Sequence, residues 1–289
     1  MSVRFGPAGI PIQCKGSSTI DGIACCADLG LGAMEMEFVH GVRMTDETAQ
    51  KARMESEKSN VRLSSHAPYY VNFCSMEKQK VDNSIKHIFR SAQVTCLAGG
   101  DITVFHPGFY QKLSPEDAYK LAKANLLKLE SELQNHGIKI RLGAETVGKK
   151  SAFGGLEENI RLANEVETIE LVIDFAHIHA RGDIKLTGED DYLKLFEKLE
   201  KELDGYVNHF HSHFSEIEYT AKGERNHIPL GTSNEPPFNP LMKVLKQNGY
   251  SGTIICESPK LDLDALKMKQ AYDKIHTSKI SMVDGVAYN

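Results

Sequence analysis

Eight short β-rich segments separated by longer helical stretches predict a closed (β/α)8 barrel, the TIM barrel. Two further observations favour a single barrel. The chain has 289 residues, a size at which α/β barrels commonly form one unit. No linker, charge block or low-complexity run divides it. Residues 1–276 are therefore expected to form one domain, followed by a loose tail over 277–289.

The first strand falls in VRFGPAG (3–9) and the second in GAMEMEFV (32–39). VRLSSHA (61–67), DITVFHPG (101–108) and IKIRLGAET (138–146) supply the third to fifth. IELVIDFAH (169–177), YVNHFHSHFS (206–215) and GTIICESP (252–259) complete eight. Helical segments lie between them. SPEDAYKLAKANLLKLESELQNHG has Ser114 to cap the start, Pro115 at the first helical position and Gly137 as a stop. GEDDYLKLFEKLEKELDG places apolar residues at 193, 196, 199 and 203, one helical face.

Composition is ordinary for a globular protein, 41% hydrophobic and 25% charged. No apolar run approaches the roughly 18 residues of a membrane span. MSVRFGPAGIPIQ lacks the charged start and apolar core of a secretory signal, so a cytoplasmic, membrane-free protein is expected. The six cysteines (14, 25, 26, 74, 96 and 256) lack paired metal-type spacing and read as reduced thiols. A net charge of −5 offers nucleic acid no attraction, although carboxylates that hold metal ions are counted in it as bare charge.

Chemistry gathers at the strand ends. His66 closes the third strand, His106 the fourth, Glu145 the fifth, Asp174 the sixth, His213 the seventh and Glu257 the eighth. Their intervals of 40, 39, 29, 39 and 44 approximate one βα unit each. In barrels of this kind the catalytic groups sit at the C-terminal strand ends. Three imidazoles and three carboxylates without a thiolate suit Zn²⁺, Mn²⁺ or Fe²⁺, and exceed what one tetrahedral ion takes. A pair of ions bridged by a carboxylate characteristically serves phosphoryl transfer. Each residue also has a plainer role: His66 could cap a loop, and Asp174 could cap a helix. His177 and His227 lie where they could reach the same mouth, while His179 is expected to face solvent. His209, His211 and His213 recur at period two, on one strand face. Only His213 is near the strand end and reads as a ligand; His209 and His211 are expected deeper in the barrel, either supporting the ligands or as hydrogen-bonded core histidines.

HAPYYVNF, FHPG, GAET, DFAH, HFS, ERNHIPLG and ESP, in that order, resemble the endonuclease IV family of apurinic/apyrimidinic endonucleases, in its archaeal-type branch. The resemblance runs over nearly the whole chain. It implies a TIM barrel with three metal ions, usually zinc, that cleaves double-stranded DNA 5′ to an abasic site and leaves a 3′-hydroxyl. Carried over by motif, His66, His106 and Glu145 would hold the first ion. Glu145 would bridge to a second, completed by Asp174, His213 and Glu257, and His177 and His227 would belong to a third. The implied chemistry is in-line attack on phosphorus by a hydroxide held between ions, with Glu145 and Glu257 as the catalytic carboxylates. Tyr69, Tyr70 and Arg43 match positions that the family uses on opened DNA. The protein is expected to act as a monomer.

One position departs from the family. Two residues before His227, where the family has Asp, stands Arg225; Glu224 is the nearest carboxylate. Glu224 is therefore expected to take the missing place, with Arg225 turned outward. Two other readings remain open. A sugar isomerase or epimerase of the xylose-isomerase-like barrels needs a single ion, and Glu145, Asp174, His213 and Glu257 would supply it. A barrel that binds nucleic acid without turnover would show duplex binding and no metal-dependent cleavage.

Overall fold

The structure is a computed structural model that describes residues 2–14 and 16–276, so the expected tail over 277–289 lies outside the described residues. Eight parallel strands form the barrel. They are β1 (Val3–Pro7), β2 (Ala33–Glu37), β3 (Arg62–His66), β4 (Ile102–Phe105), β5 (Arg141–Glu145), β6 (Ile169–Asp174), β7 (Phe210–Phe214) and β8 (Gly252–Cys256). From β2 to β8 each pairs with the next in sequence, and β8 pairs with β1. The seam between β1 and β2 closes through Gly32 N to Phe5 O at 3.0 Å and Gly9 N to Glu35 O at 2.9 Å. Gly6 permits this approach, because a Cβ there would lie 2.0 Å from Ala33 O. All eight expected strands are present.

The main apolar core lies between the barrel wall and the surrounding helices, with Phe5, Met34, Leu171, Phe175, Phe196 and Phe210 among its buried members. The helix Pro115–Asn135 begins as expected: the Ser114 side chain accepts from Asp117 N, and the chain leaves through Gly137 at φ +65°. Helix Glu189–Glu202 buries Tyr192, Leu195, Phe196 and Leu199, while Leu193 and Leu203 are only half-buried. Its inward face is thus rotated by about one residue from the expected stripe. Among the described residues, no helix is long and apolar enough to cross a membrane.

Two expectations need correction. Cys14 and Cys25 are joined as a disulfide across the first loop at the mouth, so not all six cysteines are reduced thiols. Cys26, Cys74, Cys96 and Cys256 remain free. The pair had no motif to betray it; packing of the turn at Ile12–Cys14 against helix Thr19–Asp28 brings the two together. The stretch after β7 is also not an open loop. It is an antiparallel hairpin, Glu216–Thr220 with Gly223–Ile228, and it carries Glu224 and His227. Its base is fixed by the buried Glu216 carboxylate, which accepts from the backbone N–H groups of Gly231, Thr232, Ser233 and Asn234.

Candidate metal centre

Alternation along the strands decides which side chains enter the lumen. In β2, Met34 and Met36 join the apolar core outside the wall, so Glu35 and Glu37 project inward. The same periodicity turns His66, Glu145, Asp174, His211 and His213 to the lumen or its mouth, where all five are fully buried.

Glu145 is the hub. Its Oε2 lies 2.8 Å from His66 Nε2 and 3.1 Å from His106 Nε2. Its Oε1 faces the other way, 3.2 Å from His213 Nδ1. His213 Nδ1 is also 3.2 Å from Glu257 Oε1. One ligand atom from each of Glu145, Asp174, His213 and Glu257 lies within 4.8 Å of the others, and the same holds for His66, His106 and Glu145. One carboxylate therefore serves two adjacent groups of donors.

Fit to a cation can be tested on tautomers. His66 Nδ1 is 2.8 Å from Ala67 O, an atom that can only accept, so Nδ1 carries the ring hydrogen. In the neutral ring the Nε2 lone pair then points at a carboxylate oxygen. Two acceptors at that separation require a cation between or upon them, a proton or a metal ion. His177 repeats the pattern: Nδ1 is 2.9 Å from Thr146 O, leaving Nε2 to face Glu224 Oε2 at 3.1 Å and His227 Nε2 at 3.0 Å. Among the described residues, Glu145 Oε1, Asp174 Oδ2 and His213 Nδ1 are buried with no hydrogen-bond partner. Buried polar atoms of this kind are rare without a partner, be it a protein group, an ordered water or an ion. The nitrogen and oxygen donor set fits Zn²⁺, Mn²⁺ or Fe²⁺.

The electrostatics agree. Burial lowers the His66 imidazole, but the Glu145 carboxylate more than reverses this and lifts it to about 9. His213 and His177 are likewise raised well above their usual range, burial being outweighed by Glu35 and Glu257 for the first and by Asp174 and Glu145 for the second. Burial would raise Glu145, yet the neighbouring His106 and His213 hold it far below the carboxylate range. Glu257 is pushed well up, chiefly by burial and then by Glu145 and Asp174. Burial pulls His227 down.

The expected site residues fall as follows. His66, His106, Glu145, Asp174, His213 and Glu257 converge at the mouth, and His177, His227 and Glu224 join them at its edge. Asp174 also caps its helix, accepting from His177 N at 2.7 Å. Glu224 is held by Gly148, whose N–H donates to Oε2 at 3.0 Å. A Cβ at Gly148 would meet that oxygen at 2.3 Å. Arg225 is exposed. Tyr69 and Tyr70 are 46% and 56% exposed, and the Tyr69 ring lies 4.9 Å from His66 and 5.5 Å from His106. Arg43 is exposed and shares a neighbouring cleft with Glu37. A cavity of about 400 Å³ opens over the cluster, lined by Tyr69, His106, Lys149, Glu224, His227 and Glu257 among others.

Two histidines lie elsewhere than expected, and two carboxylates were not anticipated. His209 is not in the barrel core: β7 starts at Phe210, and the His209 side chain is 54% exposed beside Glu170 at the opposite end of the barrel. His179 does not face solvent; it is buried in the short helix Phe175–Arg181 and accepts from Leu186 N. Glu35 and Glu37 escaped notice because MEME alternates like a strand with one wet face. Burial and then Glu35 push the Glu37 carboxyl up to about 7.

Comparison with known proteins accords with this architecture. A family model for the xylose isomerase-like TIM barrel matches residues 23–275. An uncharacterized protein of Methanocaldococcus jannaschii is 37% identical over 272 residues, 94% of this chain and 97% of that protein. A probable endonuclease 4 of Mycoplasma mobile is 26% identical over 203 residues, 67% of each chain. Among solved structures, a D-tagatose 3-epimerase-like protein aligns with TM-score 0.70 at 18% identity, covering 93% of this chain and 96% of that one. Endonuclease IV from Thermus thermophilus aligns with TM-score 0.66 at 17% identity, covering 88% and 93%. With eight parallel strands closed into a barrel and a match to the family model over most of its length, this chain belongs to the xylose isomerase-like TIM barrel family.

Proposed function

We propose that the protein is a metal-dependent phosphodiesterase that cleaves double-stranded DNA on the 5′ side of abasic sites, as endonuclease IV enzymes do. The observation that carries this reading is the division of the Glu145 carboxylate between two donor groups, with Asp174, His177 and His227 forming a third beside them and Glu224 Oε2 3.1 Å from His177 Nε2. A single-ion sugar enzyme would use four of these donors at its ion and leave His66, His106 and His227 as substrate contacts or without a role. His66, His106 and Glu145 would hold one ion; Glu145, Asp174, His213 and Glu257 a second; His177, His227 and Glu224 a third. The ions would be Zn²⁺, with Mn²⁺ or Fe²⁺ as alternatives. When bound, such ions lower the pKa of water and neutralise charge on a phosphoryl group. Three divalent ions would carry the formal charge from −5 to about +1, removing the electrostatic objection to DNA.

The chain's own residues then divide the work. Glu257 spans the second and third groups, Oε1 near His213 and Oε2 3.6 Å from His227 Nδ1, and borders the cavity. Ions bound beside it would return Glu257 to its ionised form, in which it could take a proton from the attacking water. Lys149 lines the same cavity and offers a cation to a phosphate oxygen. Tyr69 and Tyr70 present exposed rings at the rim, suited to the base step opened around a missing base.

The second reading is a one-ion sugar epimerase, favoured by the D-tagatose 3-epimerase-like neighbour and by the four-donor group around Glu145, Asp174, His213 and Glu257. One experiment separates them. Metal-loaded protein is given a duplex with one abasic analogue and, separately, a panel of ketohexoses. Nicking that disappears after chelation supports the nuclease; epimerised sugar with intact duplex overturns it.

A further inference from the structure

Beneath the mouth, a buried carboxylate sits against the edge of His213 that faces away from Glu145. Glu35 Oε1 lies 2.9 Å from His213 Nε2, and Oε2 lies 3.1 Å from His211 Nε2 and 2.7 Å from Ser64 Oγ. The side chain is fully buried, with no Lys or Arg ion pair among the described residues. The opposite nitrogen, Nδ1, faces Glu145 and Glu257.

We propose that Glu35 is a positioning residue for His213, selecting the tautomer that presents Nδ1 to the metal centre; the inference rests on the reading of His213 as a ligand. A neutral imidazole has one ring hydrogen. If it sits on Nδ1, that nitrogen cannot ligate and the Nε2 lone pair faces an anionic oxygen. If it sits on Nε2, the N–H meets Glu35 and the Nδ1 lone pair faces the mouth. The negative charge of Glu35 favours the second arrangement, the carboxylate–histidine–metal relation common to histidine ligands. Its second oxygen is committed: Ser64 O–H donates to it, and so does His211. The His213 N–H is not in line with Oε1, and neither atom makes a full hydrogen bond in the metal-free arrangement. Turning the ring into line is the adjustment expected when Nδ1 binds an ion.

The test uses the full chain loaded with Zn²⁺ or Co²⁺, and reads metal rather than turnover. Wild type, Glu35→Gln, Ser64→Ala and His213→Ala are titrated with a competing chelator, and His213 is assigned by ¹⁵N NMR in the Zn²⁺ form. The expected result is an Nε2–H tautomer in wild type. Affinity for the ion beside His213 should fall roughly 10- to 100-fold in Glu35→Gln, with an altered Co²⁺ spectrum, and by a smaller factor in Ser64→Ala. An Nδ1–H tautomer in wild type would overturn the proposal without any variant. So would unchanged affinity in Glu35→Gln while His213→Ala loses the ion, and that outcome leaves the nuclease reading standing. If His213→Ala keeps every ion, the ligand assignment fails and the Glu35 inference with it.

Discussion

Both ends of the barrel are charged, and they treat charge in opposite ways. At the N-terminal floor, Arg62 forks onto Asp101 at 3.0 and 2.7 Å, Arg141 meets Asp101 at 2.8 Å, and Arg141 also pairs with Glu170. Each of these carboxylates has a guanidinium. At the C-terminal mouth, Glu145, Asp174 and Glu257 have no Lys or Arg within 4.0 Å among the described residues. Their neighbours are the histidines His66, His106, His177 and His213. The floor is a finished set of ion pairs; the mouth is a set of nitrogen and oxygen donors suited to a cation. A charged cluster speaks for function when its partners do not add up, and for structure when they do.

The largest test exchanges the two ends. Glu145→Gln removes the carboxylate shared by two donor groups. Cleavage of abasic duplex should fall by more than about 100-fold, beyond the usual cost of an outer-shell change. Thermal stability of the metal-free protein should hold or rise at pH 9.5, above the range in which Glu145 holds a proton on His66. Activity retained with stability lost would reverse the roles assigned to the two ends.

Removing metal should expose a pH dependence. In the metal-free protein His66 titrates at about 9, against a usual value of 6.5. The folded state holds that proton more tightly. Its contribution is complete below pH 6.5 and is lost as pH rises through 9, on the order of 3 kcal/mol. An ion in the proton's place should flatten this slope. Denaturant melts of chelated and loaded protein between pH 6 and 9.5 make the comparison, and parallel curves would count against a cation at the hub.

At the floor, Arg141→Ala leaves Glu170 without its guanidinium and Asp101 with one. A loss of about 1–3 kcal/mol is expected, with cleavage unchanged. The smallest effect belongs to His209→Ala. That side chain is exposed and 4.0 Å from Glu170, so stability should shift by no more than about 0.5 kcal/mol. A larger change would place His209 back in the core.

The fold and the six candidate donors at strand ends were legible because spacing carries them: one donor per βα unit at the C-terminal ends of the third to eighth strands. Glu224 was legible only through its departure from a motif, and its reach depends on contacts far along the chain, with Gly148 and Gly223 letting the hairpin close on the β5 loop. Glu35 and Glu37 were hidden for a geometric reason. Alternating Met and Glu looks the same whether the polar side meets solvent or a barrel lumen, and only closure of the sheet tells them apart. His209 was misplaced because its period-two spacing continues one residue past the true strand start. The Cys14–Cys25 pair depends on a loop meeting a helix, which no local pattern announces.

The central claim is that the mouth is a multi-ion centre, and the most direct measurement is its metal stoichiometry. Native mass spectrometry of protein purified without chelator, paired with anomalous diffraction at the zinc edge, counts and places the ions. Two or three ions are expected, one against His66, His106 and Glu145 and one against Glu145, Asp174, His213 and Glu257. A single ion held by Glu145, Asp174, His213 and Glu257 at saturating metal, with His66 and His106 left unligated, would contradict the account.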